Sequence, residues 1–166
     1  NMLDQFIPWV LALASLVASL VAGVFLTFSD FVMRSLGAAA PAAGMEAMQQ
    51  INRKVYRSVF MVLLMGMVPA SLAIAAYAAT FAGSAAGVWL LAGAGLYLLG
   101  VFGVTAAGNV PMNKKLDVLD LTGHAPLGYW ARYERNWTLL NHVRTVASAG
   151  TAICFLVGAM LTGQAG

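Results

Sequence analysis

The chain has 166 residues, of which 61% are hydrophobic and only 9% charged, and its mean hydropathy is +0.81. Ordinary soluble domains carry about a quarter charged residues, so this composition excludes a water-solvated globule and calls for a bilayer as solvent. The net charge of +3 is therefore read as membrane topology, not as a nucleic-acid surface.

Four apolar stretches follow one another, each near the ~20 residues that cross the hydrocarbon. The first covers residues 6–28, "FIPWVLALASLVASLVAGVFLTF". Asp4 stands where a secretory signal would carry basic residues, and the apolar run is long, so a retained span is expected. Just beyond it, Asp30 and Arg34 stand at i,i+4, the spacing of a surface ion pair. In "GMEAMQQINRKVYRSVF", Met45, Met48, Asn52 and Tyr56 share one face, while Arg53, Lys54 and Arg57 point to headgroups. This reads as an amphipathic interfacial lead-in. Gln49 and Asn52, three residues apart, lie together on it.

The second stretch, 59–82, carries Pro69 in its middle. A kink is expected there, with a freed carbonyl that a neighbouring helix must satisfy. A short "GSAAG" turn leads to the third stretch, 85–107. As the chain leaves it, Asn109 and Asn113 flank Pro111, which removes a backbone donor. The fourth stretch is 146–163, preceded by the polar "NWTLLNHVRT". Glu134, Trp137, Asn141 and Arg144 fall on one helical face, and His142 is turned about 100° from it. Trp130 is read as an interfacial belt residue.

All nine Lys and Arg residues lie in the segments between stretches one and two and between three and four, or at the start of the fourth. Four crossings put both segments on one side, and the excess of basic residues assigns that side to the cytoplasm. The expected fold is all-α: an integral membrane four-helix bundle, one domain over 1–166, with both termini on the non-cytoplasmic side. The single cysteine, Cys154, allows no internal disulfide and reads as a buried thiol.

No HExxH, Cys-rich spacing, P-loop, GxGxxG or Ser/His/Asp arrangement occurs, and no metal site is expected. Copper held by His142 with methionines, or haem through His142 and His124, are the minor routes to a cofactor, and none is required. The polar groups entering the fourth span are the candidate site, because such groups ordinarily face a bundle interior. Asn109, Asn113, Asn141 and Arg144 are expected to hold a substrate oxygen, with Gln49 and Asn52 nearby and Trp137 walling an aromatic ring. His142 or Asp30 would take a proton. In the alternative, a non-catalytic subunit of a larger membrane complex or homo-oligomer, the same polar groups serve only as interhelical glue.

The stretches "GVFLTFSDFVMRSL", "AMQQINRKVYRSVF", "GVFGVTAAGNVPMNKKLD" and "YWARYERNWTLLNHVRTVAS" resemble bacterial members of the anthrone oxygenase-like family, small four-helix membrane proteins. The most specific parts are Asn–x–Pro–x–Asn–x–x–Leu, Asn109 to Leu116, and Trp–x–x–x–Asn–x–x–Arg, Trp137 to Arg144. The resemblance implies a bacterial inner-membrane protein. For some relatives it implies oxidation of an anthrone to an anthraquinone with O₂. An apolar anthrone- or quinol-like molecule is accordingly the expected small-molecule partner, and no cofactor is firmly implied.

Overall fold

The structure, a computed structural model, describes residues 2–81, 83–122 and 126–164. His124 lies outside the described residues. Among them every regular element is helical, in the order α1 (Met2–Thr27), α2 (Met33–Ala38), α3 (Pro41–Lys54), α4 (Val59–Ala79), α5 (Ala85–Gly95), α6 (Val110–Asp117) and α7 (Leu127–Gln164). A π-helical turn, Phe28–Val32, joins α1 to α2 without a break. Two more, Leu96–Gly103 and Thr105–Asn109, join α5 to α6.

Four continuous rods result, each long and apolar enough to cross a membrane: Gln5–Ala38, Val59–Ala79, Ala85–Asp117 and Leu127–Gln164. The chain is an all-α integral membrane protein. α7 alone has 38 residues, about 57 Å at 1.5 Å per residue, against roughly 30 Å of hydrocarbon. The first, third and fourth rods therefore continue well past the membrane core, where the apolar stretches of the sequence have already ended.

α1 packs on α4 and α7, and α5 packs on the same two, so the four rods close into a bundle. Two cores stack along it. The longer one gathers Leu11, Val21, Phe25, Leu64, Leu90, Tyr97, Val101 and Phe155. The second caps the charged end with Met33, Met45, Met48, Leu116, Trp130, Tyr133 and Trp137. Trp130, expected in an interfacial belt, is only 4% exposed, because α3 and the extended rods enclose it. α3 packs against α6 and α7. Its face carrying Met45, Met48, Gln49 and Asn52 is buried, whereas Tyr56 is exposed because the chain has already turned into a 3₁₀ turn at Val55–Arg57.

Pro69 sits inside α4 as the sequence has it. Tyr97 Oη donates to the Leu64 carbonyl at 2.6 Å, one residue before the Met65 carbonyl that Pro69 leaves without its amide. Ser84 N-caps α5 by accepting from Gly87 N–H at 3.0 Å, which makes the "GSAAG" turn a helix start.

The third and fourth rods touch through small residues. A Cβ added at Gly93 would stand 2.8 Å from Cys154 Cβ, and one at Gly100 2.6 Å from Ala147 Cβ. Such close backbone approach supplies packing that lipid alone cannot drive. Gly95, on the same rod, has open space around it. Gly100→Ala is therefore expected to destabilise by about 1–3 kcal/mol through overpacking. Gly95→Ala should be neutral or gain about 0.5–1 kcal/mol from helix propensity. Thermal unfolding in detergent checks the opposite signs.

Candidate functional site

The seam between the two cores is polar. One face of α7 runs Trp130, Tyr133, Trp137, Asn141, Arg144, Ser148, Thr151 and Phe155, all buried, at the alternating three- and four-residue steps of a helix stripe. Above Arg144 the stripe is aromatic: Trp130 stacks on Tyr133 with centroids 5.6 Å apart, and Tyr133 on Trp137 at 6.4 Å. Helical spacing from Trp137 also allows Glu134 on this face. The structure gives that place to Tyr133, and Glu134 sits beside it, half-buried.

Asn141 is the tie between the first and fourth rods. Its Nδ2 donates to the Phe25 carbonyl and to Ser29 Oγ, each at 2.7 Å. A π-helical turn carries i→i+5 bonds in place of i→i+4, as Met33 N–H to Phe28 O does here, and the shift leaves a carbonyl of the preceding turn for a side chain. Asn141 Oδ1 accepts from Arg144 Nη2 at 2.8 Å. Arg144 Nη1 reaches Thr105 Oγ1 at 3.3 Å, on the π-helical turn of the third rod. The guanidinium lies over Phe25, 4.4 Å from the ring centroid, and over Trp137 at 5.1 Å. Two aromatic faces attract a cation that water no longer solvates.

Arg144 is 5% exposed. Among the described residues the salt bridges join Arg34 to Asp30 and Arg53 to Asp117, and none reaches Arg144. Its Nε–H has no partner. Nearby Asn109 Oδ1 is an acceptor, fully buried and equally unpaired; Trp130 Nε1 and Ser71 Oγ are the other buried side-chain atoms without a partner among the described residues. Asn109 Nδ2 donates to the Trp137 carbonyl at 3.3 Å. A carbonyl can be faced only by the amide nitrogen, so this contact holds Oδ1 outward as an acceptor.

The remaining amides act between helices. Asn113 Oδ1 accepts from Tyr133 Oη at 2.7 Å and from Trp137 Nε1 at 2.9 Å. Asn52 Nδ2 lies 3.3 Å from Tyr133 Oη. Gln49 donates to the Leu116 and Leu119 carbonyls at 2.9 and 3.1 Å, closing the C-terminal end of α6. Beside it Arg53 pairs with Asp117 across an exposed surface.

The two expected proton acceptors do not join this cluster. Asp30 is exposed and stands 3.8 Å from Arg34. His142 is exposed as well, because the residue next to Asn141 points about 100° around the helix. No three His, Cys, Asp or Glu side chains come together among the described residues. A shallow groove of about 550 Å³ runs along Tyr56, Arg57, Val59, Met61, Val62 and Met65, and none of the expected site residues lines it. Sequence reasoning missed Phe25, Ser29, Thr105 and Tyr133. Only Tyr133, four residues before Trp137, carried a signal in its spacing.

These features define a four-helix membrane protein with a guanidinium–amide cluster buried at the junction of its two cores. A family model described as anthrone oxygenase matches residues 53–154, and the chain belongs to that family. No curated protein and no solved structure matches the chain significantly.

The cluster's hydrogen bonds set two opposite expectations. Asn141→Leu leaves Arg144 and the Phe25 carbonyl without their partner and should cost about 2–3 kcal/mol. Arg144→Met removes a buried cation and keeps the volume, and stability is expected to hold or rise. Thermal unfolding in detergent measures both. A large loss for Arg144→Met would make the arginine a structural element.

Proposed function

We propose that this chain is a membrane-embedded oxygenase whose substrate is an apolar, anthrone- or quinol-like aromatic bound beside Arg144. The observation that carries the reading is Arg144 itself, a buried guanidinium without a carboxylate partner among the described residues and with one N–H free. Such a group is suited to an oxygen that gains negative charge during reaction, and it is most effective where water is excluded. Phe25, Phe28 and Trp137 supply aromatic walls around it, with Phe28 5.7 Å from Trp137.

For an anthrone the net change is the oxidation of a ring CH₂ to a carbonyl by one O₂, with release of one water. Enolisation moves one ring C–H proton to the ketone oxygen and makes the ring electron-rich enough to reduce O₂, and Arg144 would hold the oxygen of that enol. Asn141 and Thr105 act as positioning residues that aim the guanidinium. Asp30 and His142 are exposed and lie outside the cluster around Arg144, so the proposal gives neither the role of base. The chain is read as one domain in a bacterial inner membrane, with the basic segments on the cytoplasmic side, where a substrate dissolved in lipid enters between the rods.

A non-catalytic subunit is the second reading, favoured by the number of amides already spent on interhelical bonds. Conversion of anthrone to anthraquinone with O₂ uptake, in protein reconstituted into nanodiscs, separates the two. Arg144→Met is expected to lower kcat/KM about 10²–10³-fold, whereas Asp30→Asn with His142→Gln should leave it near the original value. No conversion by the intact protein, together with a stable unrelated protein in native mass spectra, would favour the subunit. Sidedness is checked with Lys115→Cys in a Cys154→Ser background. Labelling by an impermeant maleimide is expected only after the inner membrane is opened.

A further inference from the structure

Two unpaired buried atoms flank Trp137, and they are of opposite kind. Arg144 Nε–H is a donor without an acceptor, and Asn109 Oδ1 is an acceptor without a donor. Both residues are more than nine-tenths buried, so each orphan group carries a desolvation penalty until something binds it. Both belong to the same helix seam. Asn109 is held on the Trp137 carbonyl, Arg144 lies over the Trp137 ring, and Arg144 bonds Thr105, one turn before Asn109.

Only certain groups satisfy such a pair. A ketone or quinone oxygen accepts from Arg144 but sets a lone pair against Asn109 Oδ1. An enolate oxygen does the same with a full charge. A hydroxyl satisfies both, since one oxygen accepts from Nε–H and donates its proton to Oδ1.

We propose that Asn109 is a specificity-determining acceptor that, with Arg144 Nε–H, binds the hydroxyl tautomer of an aryl ketone and disfavours the quinone. This rests on the oxygenase reading above. It adds that the enol O–H, not the ketone, is the bound form, and that the oxidised product is expelled because it brings no donor. The same pair would admit a hydroquinone and release its quinone. Reduced and oxidised aromatics of one shape are thereby told apart by one hydrogen bond.

The test uses the full chain in nanodiscs under argon with three probes of one ring size: phenanthrol, its methyl ether, and phenanthrenequinone. Each affinity is corrected by partition into empty nanodiscs. Phenanthrol is expected to bind about tenfold or more tightly than the ether or the quinone, the scale set by one buried hydrogen bond. In Asn109→Leu the preference should fall towards unity while the ether binds as well as before. Equal binding of phenanthrol and ether by the unaltered protein overturns the proposal, as does a preference that survives in folded Asn109→Leu. If that variant does not fold, Asn109→Ala removes the same acceptor, and a preference that survives there overturns the proposal. Binding of all three probes without discrimination refutes only the role of Asn109. Absence of binding above partition removes the oxygenase reading and this inference together.

Discussion

A guanidinium inside an apolar bundle has to be held by neutral acceptors and aromatic faces when no carboxylate is at hand. Here the holder is Asn141, which receives Arg144 on its oxygen and grips the first rod with its nitrogen. The rest of the charged end is arranged around that exchange. Phe25 gives a ring below the cation and a carbonyl to the amide, Trp137 gives the second ring, and Thr105 brings the third rod to the same point. Removal of Asn141 would take away this tie between the first and fourth rods and leave Arg144 Nη2 without its acceptor.

The π-helical turns make the arrangement possible. A regular helix keeps its carbonyls for its own amides, so the Phe25 carbonyl would not be available to Asn141 in a straight rod. On the third rod the cause is visible in the chain. Pro111 has no N–H and crowds the carbonyl four residues before it, and the widened turn Thr105–Asn109 lies immediately upstream, with Val110 N–H bonded to the Thr105 carbonyl. That widening keeps Asn109 facing α7, where its amide is oriented by the Trp137 carbonyl. No comparable residue accounts for the turn at Phe28–Val32.

The family match and the buried cluster bear on different questions. Membership in the anthrone oxygenase family is carried by residues 53–154, which include Asn109, Asn113, Trp137, Asn141 and Arg144. Chemistry has to be argued from the site, because one helical scaffold supports many activities. Most of the amides prove to be structural ties. Among the described residues four buried side-chain atoms lack a partner, Ser71 Oγ, Trp130 Nε1, Asn109 Oδ1 and Arg144 Nε, and the last two lie in the seam beside Trp137.

The sequence by itself determined that this is an all-helical membrane protein, because so apolar a chain with so few charges has no other solvent. It also marked the stripe Trp137, Asn141 and Arg144, since helical spacing survives any packing. It left Asp30 and His142 as plausible bases, because residue type says nothing about which way a side chain turns. Tertiary structure decided that both face outward, that Trp130 and α3 belong to a second core, and that Phe25, Ser29 and Thr105 complete the cluster. It also decided that Asn109 presents an acceptor. The reason is common to all of these: an amide or a carbonyl has no fixed role until a neighbour from a distant part of the chain occupies one of its two sides.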